Sequence, residues 1–405
     1  MDLNYKNKWL IFIGAGKWQK KAILKAKQIG FKVLSIDSNP KAEGLKFSNL
    51  KIIKKTDSEV LRKIKKIDKN YIGVISYCND AGMLLASKVR KKFRLKGPSE
   101  KISKIMTNKI LQRKLWNKYK IPCPRWMSID KKTINSNNFK IKLNFPVIVK
   151  PSDSAGSRGI IKVKKNNEIF NALHKSLKFS KENKIIIEEY FQGVEYTVES
   201  FSSNKKNYIL AITKKSKVPF TNNTVASSLE TIDENTKLFK SLKKLAIKSL
   251  KALNYVEGTA HTEILYNTKI NKKILVETAG RGGGFQLYDG LVKRASNEDI
   301  IEKTIMHSTG KSVVFNLYKR NHAILKFFTG RKGIVKKIIG FNLLKKHISE
   351  EVNIVGAPFV KKNEKINDTT TDNDRLGYLL AWGKNKKKIK KIINKFDKKI
   401  KFKII

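Results

Sequence analysis

Short apolar runs and amphipathic stretches alternate along the first hundred residues. The runs have the length of buried strands, and the stretches between them have helical spacing. The predicted strands are residues 9–13, 31–36 and 72–77, and the predicted helices are residues 17–29 and 81–92. This alternation predicts a doubly wound parallel sheet. Ligands bind such sheets at the carboxyl ends of the strands, which are marked here by Gly14–Lys17, Asp37 and Asn79–Asp80.

The pattern changes after residue 100. A helix is predicted over residues 101–119, strands predominate between residues 145 and 277 around a helix at 239–253, and a strand at 376–382 precedes a Lys-rich terminal helix. The length of 405 residues is that of two or three domains. We predict a chain of mixed α/β and α+β class. Its domains are a doubly wound N-terminal domain (1–100), a central domain (101–310) and a small C-terminal α+β domain (311–405).

The net charge of the chain is +55, from 88 Lys and Arg against 33 Asp and Glu. Such a charge is typical of proteins that bind nucleic acids or membrane surfaces. However, 77 of the cations are Lys and 11 are Arg, the residue whose planar guanidinium binds two phosphate oxygens at once. The lysines are spread along the whole chain. We therefore interpret the charge as a compositional bias of the surface and predict no nucleic-acid and no membrane partner.

Two features predict a cytoplasmic protein. Cys78 and Cys123 are the only cysteines and lie far apart in the sequence, which is typical of a reducing compartment. The N-terminal apolar run is shorter than that of a signal peptide. The sequence also has no stretch of the ~20 apolar residues that a membrane-spanning helix needs.

A glycine pair at the start of the chain has the form of a dinucleotide fingerprint. Gly14 and Gly16 follow the first strand, and Asp37 lies about 20 residues further on, where it would meet a ribose hydroxyl. The third glycine of the fingerprint is replaced by Gln19. An NAD-binding enzyme is therefore one hypothesis, and a tight turn that opens a ligand cleft is the alternative.

A lysine followed by small residues indicates a phosphate site. The predicted strand ending at Lys150 runs into a loop that contains Ser154, Gly156, Ser157 and Gly159. Small side chains let backbone N–H groups approach a phosphate chain, and the lysine adds a positive charge. An ordinary glycine hairpin is the alternative, because lysines are abundant throughout this chain.

A second strand ends in carboxylates. Residues 185–187 are isoleucines, and Glu188, Glu189, Tyr190, Phe191 and Glu195 follow them. Acids at the end of a buried strand need donors such as an exocyclic amine or ribose hydroxyls. Pairing with surface lysines is the alternative.

Two further strands carry a pair of glutamates. If residues 258–263 and 274–279 form a hairpin, Glu263 and Glu277 lie opposite each other on one face. Two such carboxylates repel unless a cation lies between them, and Mg²⁺ completed by nucleotide phosphates suits them. Arg281 follows and would hold transferring phosphoryl oxygens. His261 faces the same side, and we predict a structural role for it. Neutralisation of both acids by lysines is the alternative.

Taken in order, these motifs resemble the ATP-grasp superfamily of carboxylate ligases along nearly the whole chain. GAGKWQ and VLSIDSNP are similar to the family's N-terminal domain, TNKILQRKLW to the start of its two-part nucleotide-binding domain, and DRLGYLLAWGKN to its C-terminal domain in the biotin-carboxylase-like branch. The resemblance therefore implies a pre-ATP-grasp domain followed by an ATP-grasp fold.

The resemblance also implies a role for each motif. Lys109 and Lys150 would contact ATP phosphates, beneath a flap that includes Ser154, Gly156, Ser157 and Gly159. Glu188 would meet the adenine amine, Tyr190 and Phe191 the ring through their backbones, and Glu195 the ribose, with Glu189 beside them. Glu263 and Glu277 would bind Mg²⁺, or Mn²⁺ in its place, and Arg281 would steady the γ-phosphoryl group. Ala279 departs from the family pattern, since many members have a metal-binding Asn there.

The implied activity is that of a ligase. The enzyme would activate a carboxylate as an acyl-phosphate and join it to an amine, with ADP and phosphate as the other products. The resemblance leaves open a bicarbonate-using or purine-pathway ligase as the alternative, and the glycine pair leaves open an NAD-binding enzyme. The expected partners are a small carboxylate and an amine, with a homodimer as a further expectation.

Overall fold

The computed structural model describes residues 5–54, 56–136, 139–218, 225–318, 320–345, 347 and 349–405. Its N-terminal part is a parallel four-stranded sheet in the order β3-β2-β1-β4. The elements are β1 (Trp9–Ile13), α1 (Lys20–Ile29), β2 (Lys32–Asp37), β3 (Leu50–Ile53), α2 (Asp57–Ile67), β4 (Tyr71–Ile75) and α3 (Met83–Phe93). The predicted doubly wound sheet is confirmed, and β1, β2, β4, α1 and α3 lie within a few residues of the predicted elements, whereas β3 and α2 were not predicted.

Alternating residues of β1 pack on opposite faces of this sheet, as the pleat of a strand requires. Leu10 and Phe12 contact the cluster that contains the buried side of α1. Ile11 and Ile13 contact the cluster that contains the buried residues of α2 and α3. Because helices cover both faces, every residue of β1 is buried, which explains its continuous apolar run.

The predicted helix 101–119 is two helices, α4 (Glu100–Met106) and α5 (Lys109–Lys118). The break occurs at Asn108, whose side-chain oxygen accepts the Leu111 N–H at 3.1 Å and caps α5. The prediction of one helix was wrong because an Asn cap is hidden within a continuous amphipathic pattern. The break places Lys109 in the first turn of α5.

A second sheet of four antiparallel strands, in the order β5-β8-β6-β7, follows. Its elements are β5 (Trp126–Asp130), α6 (Lys131–Asn135), β6 (Val147–Pro151), β7 (Ile161–Val163), α7 (Ile169–Leu177) and β8 (Lys184–Glu189). One face packs on α6 and α7 through Val149, Ile185 and Ile187. The other face of β8 carries Ile186 and Glu188, on the same side as Lys150 of β6.

The largest sheet has eight strands in the order β13-β12-β9-β10-β11-β14-β18-β16. The elements of this part are β9 (Val194–Ser203), β10 (Lys206–Lys217), β11 (Ala226–Thr231), α8 (Lys237–Ala252), β12 (Gly258–Asn267), β13 (Lys272–Ala279), α9 (Lys293–Ser296), α10 (Ile300–Ser308), β14 (His322–Phe328), β15 (Gly333–Ile339), α11 (Asn342–Lys345), β16 (Val352–Pro358), β17 (Lys365–Ile366), β18 (Gly377–Gly383), α12 (Lys386–Lys399) and β19 (Lys401–Ile404). The helix α8 covers one face, and α12 packs beside β14 and β18.

The sheet crosses the predicted boundary between residues 310 and 311, because β14 pairs with β11, and β18 and β16 extend the sheet beyond β14. The division into three domains stays a prediction. No helix among the described residues is long and apolar enough to span a membrane.

Candidate active site

A cleft of about 750 Å³ is lined by residues of the N-terminal parallel sheet, the four-stranded antiparallel sheet, the eight-stranded sheet and their loops. The carboxyl ends of β1, β2 and β4 contribute Gly14, Asp37 and Asp80, the residues that the strand-end rule predicts. The loop after β6 and the β12–β13 hairpin contribute most of the predicted phosphate and metal residues. Those lining the cleft are Lys109, Lys150, Ser154, Gly156, Ser157, Glu263, Glu277 and Arg281.

Glu263 and Glu277 lie directly opposite each other in the β12–β13 hairpin. The predicted register is therefore confirmed. His261 lies two residues before Glu263 on the same face, with Nε2 3.5 Å from Glu263 Oε1. Its Nδ1 forms a short contact with the fully buried Glu199 carboxylate. His261 thus links a buried acid to the acid pair at the surface of the cleft.

Cations on both sides offset the charge of these carboxylates. Burial acts to raise the pKa of Glu263, but Lys215 and His261 outweigh it and hold this pKa well below its usual range. Burial acts in the opposite direction on His261, and the charge and hydrogen bond of Glu199 raise its pKa to about 10. The Lys215 Nζ lies 3.4 Å from Glu263 and 2.5 Å from Glu195. Both partners of Glu263 therefore carry positive charge at neutral pH.

Lys109 connects the acid pair to the glycine-rich loop. Its Nζ lies 3.0 Å from Glu277 Oε1 and donates to the Ser154 carbonyl at 2.7 Å. The side chain is nearly fully buried, and its backbone N–H donates to the Ser152 carbonyl at 2.8 Å. Within the loop, Gly156, Ser157 and Gly159 all have positive φ, which explains two of the small residues that the sequence places there. Gly159 lies outside the cleft lining, against Phe179.

Lys150 is held from behind by a buried ion cluster. Its Nζ lies 2.7 Å from Glu188 Oε2, and Arg113 Nη2 lies 2.6 Å from Glu188 Oε1. Burial acts to raise the pKa of Glu188, but the two cations lower it. In this structure Glu188 acts as the counterion of Lys150 and does not line the cleft. The adenine contact that the resemblance implies for Glu188 stays a prediction.

The other residues implied to bind adenosine also lie outside the cleft lining. Glu189 pairs with Arg125 at 3.2 Å, and the Tyr190 ring lies 3.5 Å from Lys162 Nζ. Glu195 pairs with Lys215, which does line the cleft. Phe191 lies in the segment that joins β8 to β9. The structure therefore brings the phosphate and metal residues together, and the adenosine roles stay predictions.

Arg281 joins the end of β13 to the N-terminal domain. Its Nε donates to Asp80 Oδ2 at 2.7 Å, and this contact raises the pKa of Arg281 although burial acts to lower it. Of the glycines after it, Gly282 and Gly283 are packed so closely that a Cβ would overlap Tyr288 and Leu287. Close packing, and not only access for a substrate, explains these glycines.

The carboxylate of Asp37, beside the Gly14–Gly16 turn, accepts hydrogen bonds from the backbone of this chain. Asp37 Oδ2 accepts the Ala15 N–H at 2.7 Å, and Oδ1 accepts the Asn39 N–H at 2.9 Å. Gln19, at the third fingerprint position, is buried and donates to the Tyr77 carbonyl at 2.8 Å. These contacts support the alternative of a tight turn beside a cleft over a fingerprint that binds NAD.

The acid pair fits a magnesium ion of a particular kind. No group of three or more His, Cys, Asp or Glu side chains among the described residues could hold a metal ion by itself. Mg²⁺ is commonly bound by one or two carboxylates, with phosphate oxygens and water as its other ligands. Glu263 and Glu277 supply those two carboxylates. Lys109 and Lys150 lie in the same cleft, where they would meet phosphates.

Several residues of the site were missed by sequence reasoning. Arg113 and Lys215 each complete an ion pair with a residue that was predicted. Lys215 lies on β10, whose sequence KKSK resembles many other lysine runs in this chain. Only the fold reveals these two residues, because Glu188 lies 75 residues from Arg113 along the chain and Glu263 lies 48 residues from Lys215.

Residues 143–289 match the model of the ATP-grasp domain. This match confirms the resemblance to the ATP-grasp superfamily over those residues. The chain is similar to D-alanine–D-alanine ligase of Prochlorococcus marinus strain MIT 9515, with 28% identity over 200 residues that cover 45% of this chain and 54% of that protein. The chain therefore spans about half the length of the curated relatives it matches.

Two solved structures share the fold over nearly the whole chain. L-amino acid ligase from Bacillus licheniformis has a TM-score of 0.81 at 18% identity and covers 99% of both chains. The biotin carboxylase domain of 2-oxoglutarate carboxylase from Hydrogenobacter thermophilus, solved with MgADP, ADP and bicarbonate, has a TM-score of 0.75 at 13% identity. It covers 98% of this chain and 91% of that one. The predicted mixed fold is thereby confirmed.

Proposed function

We propose that this protein is an ATP-dependent ligase that activates a carboxylate as an acyl-phosphate and joins it to an amine. One observation carries the proposal. The directly opposed Glu263 and Glu277 share a cleft with Lys109, Lys150 and Arg281, the combination of acids and cations that a magnesium–nucleotide complex requires. The relatives with ligase names support the same activity.

In the first step a substrate carboxylate oxygen attacks the γ-phosphorus of ATP, and the bond from phosphorus to the ADP oxygen breaks. Lys109 and Lys150 would neutralise phosphate oxygens, and Arg281 would hold the transferring group. Mg²⁺, when bound by Glu263 and Glu277, supplies charge neutralisation for the phosphates. Lys109 also donates to the loop at Ser154, so the same side chain would hold the loop over the nucleotide.

In the second step the amine nitrogen attacks the acyl carbon. The C–O bond to phosphate breaks, phosphate leaves, and the nitrogen loses a proton. Closure of the Ser154–Gly159 loop would exclude the water that otherwise hydrolyses the acyl-phosphate. Both steps depend mainly on positioning the substrates and neutralising the phosphate charge, which fits a cleft rich in ion pairs.

The remaining expectations belong to the same proposal. We infer ATP and Mg²⁺ (or Mn²⁺) as cofactors, a small carboxylate and an amine as partners, and a cytoplasmic location. The homodimer also stays a prediction.

The test is a screen for ADP release against amino acids, other carboxylates and bicarbonate, with and without amines. We expect release that requires both a carboxylate and an amine, and loss of that release in Glu277→Ala. Glu230→Ala is the matched control, because its side chain is 23% exposed like that of Glu277 and pairs with Lys386 at 2.8 Å outside the cleft. Thermal melting checks that both variants fold.

Three results would contradict the proposal. Full ADP release by a folded Glu277→Ala would remove the metal assignment. Turnover with bicarbonate and no amine would indicate the carboxylase-type alternative. Stabilisation by NADH and none by Mg-ATP, measured by thermal shift, would indicate the dinucleotide-binding alternative.

A further inference from the structure

A row of aromatic rings forms one wall of the cleft. The Trp18 ring lies 4.6 Å from the Phe285 ring and 5.2 Å from the Phe359 ring. Phe359 stacks on Tyr378 at 5.4 Å and supports the row from behind. Trp18 and Phe285 line the same cleft as Glu277 and Arg281, and each is only partly buried. The wall is therefore an apolar surface inside a cleft that otherwise carries charged groups.

The backbone at Phe285 adopts a left-handed conformation, which is unfavourable for a residue other than glycine. Phe285 and Gln286 have φ values of 53° and 65°, in the left-handed region that costs a non-glycine residue about 1–2 kcal/mol. Such outliers cluster at binding and catalytic sites, where the surrounding structure holds them in place. Gln286 is fixed by Lys21, whose Nζ donates to its Oε1 at 3.2 Å. The strain directs an aromatic ring toward the cleft.

A buried arginine lies at the end of the wall. Arg375 is 4% exposed, yet it lines the cleft, with its guanidinium carbon 3.8 Å from the Phe327 ring centroid and 5.3 Å from that of Phe285. Its Nε and Nη2 donate to the Ala226 carbonyl, and Nη2 pairs with Asp372 at 2.6 Å. These contacts orient the guanidinium through Nε and Nη2. A guanidinium has five N–H donors, and Nη1 carries two of them.

We propose that the amine substrate is an amino acid with a large apolar side chain, bound with its carboxylate on Arg375 and its side chain against Trp18 and Phe285. This inference rests on the proposed ligase function and names the class of its second substrate. The aromatic wall supplies the apolar contact, and the Nη1 donors of the Arg375 guanidinium, whose Nη2 pairs with Asp372, supply the hydrogen bonds to the carboxylate. Together they select a molecule that carries both groups.

The carboxylate held by Arg375 is not the one that is phosphorylated. The phosphoryl end of the cleft is defined by Glu277 and Arg281, at the end of β13. Arg375 is anchored on Ala226 of β11, four strands away in the same sheet. A carboxylate paired with a guanidinium is also a poorer nucleophile than a free one. The carboxylate that is activated therefore belongs to the other substrate.

The first test measures the binding of small molecules to the wild-type protein by isothermal titration, in the presence of an unreactive Mg-ATP analogue. L-phenylalanine, phenethylamine, 3-phenylpropionate and L-alanine are compared. We expect phenethylamine, which lacks the carboxylate, and L-alanine, which lacks the ring, to bind more weakly than L-phenylalanine. The expected loss is about ten- to a hundredfold for the carboxylate and about two- to tenfold for the ring. Equal affinities for phenylalanine and phenethylamine, or binding by neither, would overturn the proposal.

The second test uses matched arginine variants. Arg375→Gln should remove the preference for phenylalanine over phenethylamine, and Arg375→Lys should keep part of it. Arg320→Gln is the control, because Arg320 also donates to backbone carbonyls, pairs with an acid and lies over an aromatic ring, but outside the cleft. A folded Arg375→Gln with an unchanged preference would overturn the proposal.

Binding and turnover separate this proposal from the ligase function. If phenylalanine binds as expected but no carboxylate and amine pair releases ADP, the ligase function fails and the subsite stands. If ADP is released with other amines and phenylalanine shows no carboxylate-dependent binding, the subsite fails and the ligase function stands.

Discussion

Replacing Glu188 by Gln removes the negative charge that two buried cations share. Glu188 is 3% exposed, Arg113 0% and Lys150 4%, and the shortest N···O distances from Glu188 to the two cations are 2.6 and 2.7 Å. Removing one partner of a buried ion pair leaves uncompensated charge and costs about 3–5 kcal/mol. For a folding unit of 150–250 residues, at about 2–4 °C per kcal/mol, the melting temperature should fall by about 6–20 °C.

The neighbouring glutamate supplies the control. Glu189 pairs with Arg125 at 3.2 Å, and the Arg125 side chain is 67% exposed. An exposed pair of this kind contributes about 0–1 kcal/mol, so Glu189→Gln should change the melting temperature by only a few degrees. The measurement is the melting temperature of each variant by circular dichroism at one buffer and salt concentration. Equal effects of the two variants would refute the buried cluster.

The pH dependence provides a further check on the same residue. Arg113 and Lys150 lower the folded-state pKa of Glu188, although burial acts to raise it. Its contribution to stability is therefore present above the unfolded pKa of about 4.3 and is lost as the pH falls through the lower folded pKa. The difference between wild type and Glu188→Gln should be constant near pH 7 and shrink in acid. A variant that weakens ATP binding while keeping wild-type stability would instead favour the adenine contact.

Three other predictions follow from single contacts. Gly283→Ala should destabilise the protein by about 1–3 kcal/mol, because the new Cβ would overlap Leu287. Gly284→Ala should be tolerated, because its Cβ would meet no described atom within 4 Å. Thermal melting of the two variants tests the difference. Asn108→Ala should cost about 1 kcal/mol of stability through loss of the helix cap, and should weaken Mg-ATP binding, measured by titration, because Lys109 is the next residue. Burial raises the pKa of Cys78, so less thiolate forms at any given pH, and iodoacetamide at pH 8 should modify this partly exposed cleft residue more slowly in the folded protein than in guanidinium; equal rates would contradict the raised pKa.

The sequence was sufficient where the signal is periodic and local. The strand β1 and the helices around it follow from run length and spacing. The pairing of Glu263 with Glu277 follows from the symmetry of a hairpin about residue 270. The structure has that register at residues 261–263, and the register shifts by one residue between Glu263 and Ile264, on the side of the turn. A one-residue slip would have moved one acid to the opposite face, so the correct register also fixes which side of the sheet carries the acid pair.

The sequence was insufficient where a partner is distant or where one pattern conceals two elements. The break between α4 and α5 is marked by Asn108, a residue as common in loops as at caps. Arg113 lies in that second helix at a position that reads as an ordinary polar residue, and its role appears only when Glu188, 75 residues later, lies beside it. The aromatic wall likewise joins residues from both ends of the chain, Trp18 and Phe359.

In a chain with 88 cations, burial distinguishes the few that matter. Among the described residues four Lys and Arg side chains are buried: Lys109, Arg113, Lys150 and Arg375. Lys109, Lys150 and Arg375 line the cleft, and Arg113 shares the Glu188 carboxylate with Lys150. A buried cation is tolerated only with a counterion, and these four cations pair with three of the chain's 33 acids, Glu277, Glu188 and Asp372. Added salt should weaken the electrostatic interactions of the surface lysines. It should change those of the buried ion pairs little, because screening acts mainly on exposed charges.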